Sequence, residues 1–368
     1  MFIPMLLAAL LSAASASSHP TISTGEAVYH GSSSIQSGRT LFREAMRFYT
    51  QGRYREALMA FTRAAARNSV AAMYMRGHMY HNGEGVEVDR KKAFNLFRQS
   101  AKVGYPMALY ALGRYYEYGY IIEQDYAESL RHYTLAAERK YPPALRAVGN
   151  LHFEGTVGKQ NYAEALRWYE AASELGDHYA TYNIALMYER GYGLDADQIK
   201  AVEWYLKAIE QGNAKAMYRV ALRNAEDAGT EYDMHSAIEL FQASGEGGHF
   251  DAYLRLGEIY HAGKGVARDF GKARKYFAAA ARGGNEIACV RLGRMFEAGE
   301  GGPVDFKSAL AWYERAVGLD FEEGYYHLGL LYYHGRGVER DRSKARELLK
   351  KAADKLHEPA KEFLRKSF

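Results

Sequence analysis

The chain has 368 residues, of which 48% are hydrophobic and 25% charged, a composition typical of a folded globular protein rather than a disordered tail. Its 48 basic and 44 acidic residues leave a formal net charge of +4, too small an excess to argue for nucleic acid as a partner. A single cysteine excludes an internal disulfide framework, a cysteine-rich zinc site and an iron–sulfur cluster.

Residues 1–16 predict a cleaved signal peptide. The first 11 residues are almost wholly apolar, and Ala14-Ser15-Ala16 forms an A-x-A cleavage site. The apolar run is too short to span a bilayer, which needs about 20 residues. Because a bacterial signal normally carries a basic residue and none precedes Arg39, the pattern favours entry to the endoplasmic reticulum. An ordinary apolar helix is the alternative interpretation.

Two short segments follow the signal. Residues 17–38 are rich in Ser and Gly and predict a flexible linker. Residues 39–69 predict a capping helical hairpin that resembles a plain tetratricopeptide unit. The residues that carry this resemblance are Ala45, Phe48, Gly52, Tyr54, Ala57, Phe61 and Ala64.

From residue 70 onward the sequence repeats every 36 residues without an insertion. Small or apolar residues at offsets −5, −1 and 0, with Arg76 as the one exception, and mostly aromatic residues at +3 define one face of a helix, helix A. The residues at offset 0 are Gly77, Gly113, Gly149, Ala185, Ala221, Gly257, Gly293 and Gly329. Glycines at offset +6 predict left-handed helix ends, and an acidic or Asn residue at +12 predicts the N-cap of a second helix, helix B. These caps are Asp89, Asp125, Asn161, Asp197, Asp233, Asp269, Asp305 and Asp341.

Helix B carries a small residue at offset +16 and an aromatic residue at +20, except for Leu349 in the last copy. The combined pattern, for example over residues 261–269, resembles the Sel1-like repeat, a relative of the tetratricopeptide repeat. It covers residues 70–357 as eight repeats, and the fifth copy departs from it at Asn224 and Asp227. The resemblance implies an all-α, right-handed α-solenoid of helix-turn-helix repeats, with residues 358–368 as a C-terminal capping helix.

The sequence predicts no catalytic, cofactor or metal site. His78 and His81 share a helix face without a third candidate ligand, which favours a surface pair over a metal site. Cys289 occupies an otherwise apolar helix-A position, which predicts a buried, inert thiol. The glycine pairs lie between helices and not after a strand, so they predict turns rather than phosphate loops. A hydrolase site assembled from separate repeats stays open as an alternative.

The remaining functional surface is the groove that the resemblance implies, lined by helix A at offsets −3, +1 and +4, here called the helix-A row. Tyrosine recurs at −3, where it offers a large contact area with a polar tip. The alternative interpretation is that these tyrosines only complete packing. The predicted partner-binding residues are Tyr74, His78, Tyr110, Arg114, Arg146, Tyr182, Glu189, Tyr218, Glu258, Arg294, Tyr326 and Tyr333.

We therefore predict a non-enzymatic scaffold or adaptor that binds other proteins or peptides, as a monomer or as part of a larger complex. No nucleic acid is expected, because acidic residues interrupt the basic run near the end of the chain. No membrane span is expected, because no apolar run is long enough, and no small-molecule substrate is expected either. The resemblance implies a specific version, since luminal members of the family hand misfolded clients to a ubiquitin ligase of the endoplasmic-reticulum membrane. An enzyme regulator and a bacterial envelope assembly factor are the alternatives.

The predicted location follows from the signal peptide. It is the secretory pathway, either the lumen of the endoplasmic reticulum or the outside of the cell. The alternatives are the bacterial periplasm, or the cytoplasm if residues 1–16 are not a signal.

Overall fold

The structure, a computed structural model, describes residues 33–226 and 231–368, and within them it contains α-helices and no strand. The described chain divides into two compact units, residues 33–211 and 212–368. The helices of the N-terminal unit are α1 (Ser33–Thr50), α2 (Tyr54–Ala65), α3 (Val70–Asn82), α4 (Arg90–Ala101), α5 (Pro106–Tyr118), α6 (Tyr126–Ala137), α7 (Pro142–Glu154), α8 (Tyr162–Glu174), α9 (His178–Arg190) and α10 (Gln198–Glu210).

The C-terminal unit continues the same alternation of helices. Its helices are α11 (Ala214–Glu226), α12 (Glu231–Glu246), α13 (Asp251–Ala262), α14 (Phe270–Arg282), α15 (Glu286–Ala298), α16 (Phe306–Gly318), α17 (Glu322–His334), α18 (Arg342–Asp354) and α19 (Glu358–Ser367). The odd-numbered helices from α3 to α17 are the predicted A helices, and the even-numbered helices from α4 to α18 are the predicted B helices. The prediction of an all-α helical-repeat fold is confirmed.

The loop between helices A and B has one geometry in most repeats. Helix α3 ends at Gly83, whose φ of +76° is the left-handed conformation that glycine adopts without a steric penalty. The Asp89 carboxylate accepts the backbone N–H of Lys92 at 2.8 Å, and the Asp89 N–H donates to the carbonyl of Tyr80 at 2.9 Å. The same caps are confirmed at Asp125, Asn161, Asp197, Asp269, Asp305 and Asp341.

The core of each repeat is a contact between the offset-0 glycine and the offset +20 ring. A Cβ placed on Gly257 would lie 2.5 Å from Cδ1 of Phe277, and one placed on Gly113 would lie 2.5 Å from Cδ1 of Tyr133. The small residue at offset +16 of helix B is fully buried, as Ala273 is in the same repeat as Phe277. Small residues let the two helices approach closely, and the ring fills the space between them.

The structure differs from the sequence-based expectations at the start of α1 and at Asp233, and some of the predicted segments lie outside the residues that it describes. Helix α1 begins at Ser33, inside the segment predicted as a linker up to residue 38, and continues through the buried residues Phe42 and Ala45. Gly38 lies against the Arg67 carbonyl, which would be 2.8 Å from a Cβ there. The prediction that Asp233 caps a helix is wrong, because α12 already begins at Glu231. The predicted signal, residues 17–32 of the linker, and residues 227–230 lie outside the described residues.

Candidate functional site

The tyrosines at offset −3 in the N-terminal unit are packed between repeats. The Tyr74 ring lies 5.6 Å from Phe97 of its own repeat and 5.6 Å from Tyr105, the N-cap of α5, which is the A helix of the next repeat. Tyr110 repeats this arrangement, 5.2 Å from Tyr133 and 5.5 Å from Tyr141. Burial raises the pKa of Tyr110. Tyr182 likewise packs 5.8 Å from the ring of Tyr205. All three half-buried rings are therefore packed, as the packing interpretation expects, and Tyr74 and Tyr110 also join their repeat to the next A helix.

Arg146 occupies the tyrosine position of the third repeat and joins repeats through an ion pair. Its Nε lies 3.1 Å from both carboxylate oxygens of Asp177, whose side chain is only 5% exposed. Asp177 also caps α9 by accepting the N–H of Ala180 at 2.8 Å. The Arg146 guanidinium lies 5.1 Å from the centre of the Tyr179 ring. Arg146 is thus an inter-repeat contact rather than a free specificity residue.

Glutamates at offset +4 form hydrogen bonds within their own repeats that sequence reasoning missed. The Tyr133 hydroxyl donates to Glu117 at 2.5 Å, and the Tyr313 hydroxyl donates to Glu297 at 2.5 Å. The hydroxyl of Tyr205 donates in the same way to Glu189. A signal was available, because Tyr rather than Phe stands at offset +20 wherever Glu stands at +4. Repeats with Phe97 or Phe277 carry His81 or His261 at +4 instead.

His78 and Arg114 have different surroundings. Nδ1 of His78 lies 3.2 Å from a carboxylate oxygen of Glu84, and Glu84 also accepts the hydroxyl of Tyr49 from α1 at 3.1 Å. His78 therefore belongs to a polar cluster that ties α1 to the first repeat. Arg114 remains exposed and donates to the Tyr120 hydroxyl at 3.4 Å.

In the C-terminal unit the predicted tyrosines also pack. Tyr218 lies 4.5 Å from the ring of His249, and Tyr326 lies 4.7 Å from the ring of His357. Tyr333 lies 5.0 Å from the ring of Phe363 in α19. These contacts leave Glu258 and Arg294 as the two predicted residues of this unit that line open space.

Two adjoining clefts cross the A helices of the C-terminal unit. The upstream cleft has a volume of about 280 Å³ and the downstream cleft about 300 Å³, and Glu258 and Ala262 line both. The upstream cleft is lined by Leu222, Ala225, Glu226, Phe241, Arg255, Glu258, Ile259, Ala262 and Lys264. The downstream cleft is lined by Glu258, His261, Ala262, Phe277, Arg291, Arg294, Met295, Ala298 and Glu300.

The charges of the downstream cleft are only partly compensated. Arg255 holds the Glu258 carboxylate at 2.8 Å, and Nε2 of His261 lies 2.8 Å from the Glu300 carboxylate. The side chains of Arg291 and Arg294, one turn apart on α15, are exposed and form no hydrogen bond or ion pair with any residue that the structure describes. The cleft therefore combines a partly apolar floor of Phe277 and Met295 side chains with two free guanidinium groups.

His327, a residue of α17, should make stability sensitive to acid. Its ring stacks on Tyr313 at 5.0 Å. Burial first, and then the charges of Arg294 and His357, lowers the pKa of His327 from 6.5 to about 4. The unfolded chain binds a proton on the His327 ring at higher pH than the folded chain does. The contribution of the uncharged ring to the free energy of unfolding is therefore complete above the unfolded pKa and is lost as pH falls toward 4. Lowering the pH from 7 to 5 should cost about 2 kcal/mol, measurable by urea unfolding.

A His327→Met variant isolates this contribution. Met75 occupies the same offset in the first repeat and is buried, so methionine fits the position. We expect the variant to lose part of its stability at neutral pH and also the acid dependence that His327 contributes. A pH profile with the same slope between pH 5 and 7 in both proteins would contradict this assignment.

No group of three or more metal-binding side chains occurs within residues 33–226 and 231–368. Cys289 is fully buried, and burial raises the pKa of its thiol, so the prediction of a buried thiol is confirmed. Across the same described ranges, no helix is both long and apolar enough to cross a membrane.

Comparison with known proteins defines the class, a helical-repeat protein of the kind that generally mediates protein–protein interaction. The chain belongs to the Sel1 repeat family. Eight copies of the Sel1 repeat match residues 70–105, 106–141, 142–177, 178–213, 214–249, 250–285, 287–320 and 322–355. A comparison with curated proteins gives no match.

Two solved bacterial structures are similar to this chain. One is c5321, a protective antigen present in uropathogenic Escherichia coli strains that displays an SLR fold, with 30% identity and a TM-score of 0.60. That match covers 83% of this chain and 66% of c5321, just under two thirds of its length. The other is a Sel1 repeat protein from Oxalobacter formigenes, with 33% identity and a TM-score of 0.60 over 66% of this chain and 99% of that chain.

Proposed function

We propose that the protein is a non-enzymatic scaffold that binds a segment of a partner polypeptide on the A helices of its C-terminal unit. The observation that carries this proposal is the pair of adjoining clefts, which run across α11, α13 and α15 and share Glu258. Each cleft is large enough for side chains of a bound segment, and both mix apolar with charged lining residues. In protein interfaces of this composition, apolar side chains anchor the partner and polar groups fix the position of its chain along the binding surface.

The partner should present an acidic group to the downstream cleft. Arg291 and Arg294 are like charges one turn apart, and such pairs destabilise a helix unless an anion lies between them. A carboxylate of the partner would accept hydrogen bonds from both guanidinium groups. Glu258 and Glu300 already have partners, so they do not neutralise the arginines.

A binding role is supported over a catalytic one by where the reactive groups lie. Glu117 and Glu297 are occupied by tyrosine hydroxyls, and burial keeps the Cys289 thiol protonated. The alternatives among binding roles are client transfer in the endoplasmic reticulum, regulation of an enzyme, and assembly of a bacterial envelope. The two similar solved structures are bacterial, which favours the envelope role over the luminal one.

A charge-reversal experiment tests the proposed binding site. Partners captured from cell extract by the native chain are identified by mass spectrometry and compared with those of Arg291→Glu plus Arg294→Glu. Because both side chains are exposed and unpaired, the variant should fold normally and lose its acidic partner, with binding weakened at least tenfold. A variant with truncated Tyr110 would be less informative, since that ring packs between repeats.

The matched control is Lys350→Glu plus Arg365→Glu. Both residues are exposed in the same unit and line neither cleft, and the change in net charge is the same. The control should retain the partner. If both variants bind the same partners as the native chain, the downstream cleft is not the binding site.

We further propose that the protein is exported, with residues 1–16 removed as a signal peptide. The support is the apolar run followed by the A-x-A site in the sequence. We expect N-terminal sequencing of the mature protein to begin at Ser17. A mature chain that still begins at Met1 would contradict export through this signal.

A further inference from the structure

A third cleft lies in the N-terminal unit, away from the helix-A row. It is formed by α4, α5 and α6, has a volume of about 510 Å³, and is called here the basic cleft. Its buried floor includes Phe94, Leu109 and Leu112. The α5 residues that line it stand at offsets −4, −1 and +3, so it does not overlap the row predicted from the sequence. The full lining is Phe94, Arg98, Ala101, Lys102, Leu109, Leu112, Tyr116, Ile122, Arg131, His132 and Leu135.

The ionisable side chains of the basic cleft, apart from the Tyr116 hydroxyl, are all of the basic type, and no Asp or Glu lines it. Arg131 is paired with Glu128 of its own helix at 2.8 Å. The side chains of Arg98 and Lys102 are exposed and form no hydrogen bond or ion pair with any residue in the described ranges. They stand four positions apart at the carboxyl end of α4, where the helix dipole favours a cation but does not neutralise two.

His132 forms part of the wall of this cleft and is mostly buried. Its ring stacks on Tyr116 with centres 5.5 Å apart and planes 13° from parallel. Its Nε2 lies 3.2 Å from the Arg131 guanidinium, whereas its buried Nδ1 has no hydrogen-bond partner among the described residues. A buried polar atom without a hydrogen-bond partner is uncommon in folded proteins. The Glu128 carboxylate lies 3.8 Å from the same Nε2 and pairs with Arg131, so the uncompensated basic side chains of the cleft are Arg98 and Lys102.

We propose that the basic cleft binds a small amphiphilic anion, with its apolar body against Phe94, Leu109 and Leu112 and its acidic group held by Arg98 and Lys102. The volume is that of a small-molecule site, and such sites are mainly apolar with a few polar groups that orient the ligand. A protein partner would need a contact surface well beyond this cleft. This site is independent of the proposed binding of a polypeptide on α11, α13 and α15, and it adds a small-molecule ligand where the sequence analysis predicts no small-molecule substrate.

Two dyes with the same ring system, one with a sulfonate group and one without it, test the proposal. The anionic probe is 8-anilinonaphthalene-1-sulfonate, and the neutral probe is N-phenyl-1-naphthylamine, which has the same rings without the sulfonate. We expect the full chain to bind the anion with saturable fluorescence at one site, and sodium dodecanoate to displace it. Arg98→Gln plus Lys102→Gln should weaken binding of the anionic dye at least tenfold and change binding of the neutral dye less than twofold.

The control variant is Lys91→Gln plus Lys159→Gln, which removes two exposed positive charges of the same unit outside the cleft. It should bind both dyes as the native chain does. Equal weakening of the anionic dye in both variants would overturn the proposal, because the effect would then come from net charge. No saturable binding of the anionic dye, or binding that Arg98→Gln plus Lys102→Gln leaves unchanged, would overturn it as well.

Discussion

Gly257→Val is expected to lower the free energy of unfolding by about 3 kcal/mol, because overpacking a filled core costs about 1–3 kcal/mol and valine adds helix strain. A Cβ on Gly257 would lie 2.5 Å from both Cδ1 and Cε1 of Phe277, a buried ring that cannot move aside. Valine is the informative choice, since Ala185 and Ala221 occupy the same offset in two other repeats. Urea unfolding followed by circular dichroism measures the loss.

The control is Gly318→Ala at the end of α16. No atom lies within 4 Å of a Cβ placed there, so alanine meets no neighbour. Because glycine costs roughly 0.5–1 kcal/mol in a helix relative to alanine, this variant should be as stable as the native chain or slightly more stable. Equal destabilisation by the two substitutions would show that contact with Phe277 does not explain the glycine at offset 0.

Arg146→Ala is expected to destabilise the N-terminal unit by about 3 kcal/mol. Removing one member of a buried ion pair leaves the other charge buried without compensation, which costs about 3–5 kcal/mol. We expect a loss at the lower end of this energy range, because the Asp177 carboxylate keeps its hydrogen bond from the N–H of Ala180. Repeat proteins can unfold in parts, so hydrogen exchange in α7 and α9 should accompany the unfolding curve.

Arg167→Ala provides the comparison for Arg146→Ala. Arg167 also forms an ion pair, with Glu164 at 2.8 Å on the same helix, but its side chain is 75% exposed. Exposed pairs of this kind contribute about 0.3–0.5 kcal/mol. A loss at Arg146 no larger than the loss at Arg167 would contradict the role of Arg146 as a contact between repeats.

The boundaries of the helices could be predicted where they depend on residues close to the boundary in the sequence. Gly83 ends α3 through its own backbone conformation, and Asp89 caps α4 through a bond three residues away. The prediction failed at Asp233, where the fifth copy lacks the glycine that ends helix A. It also missed the start of α1, because Ser and Gly near Gly38 suggest a linker, whereas that glycine packs on Arg67.

The candidate site was less predictable, because the repeat pattern says which side chains share a face but not which already have partners. Arg146 and Arg294 belong to the same helix-A row, yet the first pairs with Asp177 and the second is free. Glu189 was predicted to bind a partner, but its carboxylate accepts the Tyr205 hydroxyl. The basic cleft had no signal in the sequence, since its lining comes from three helices.

The amino-acid sequence by itself determined the repeat length, the helices, their caps and the family, because each depends on residues within one or two helical turns or on a strict 36-residue period. Only the tertiary structure decided which charged groups are free and where the clefts lie. Those properties depend on partners such as Asp177, 31 residues from Arg146, and therefore on how neighbouring repeats pack.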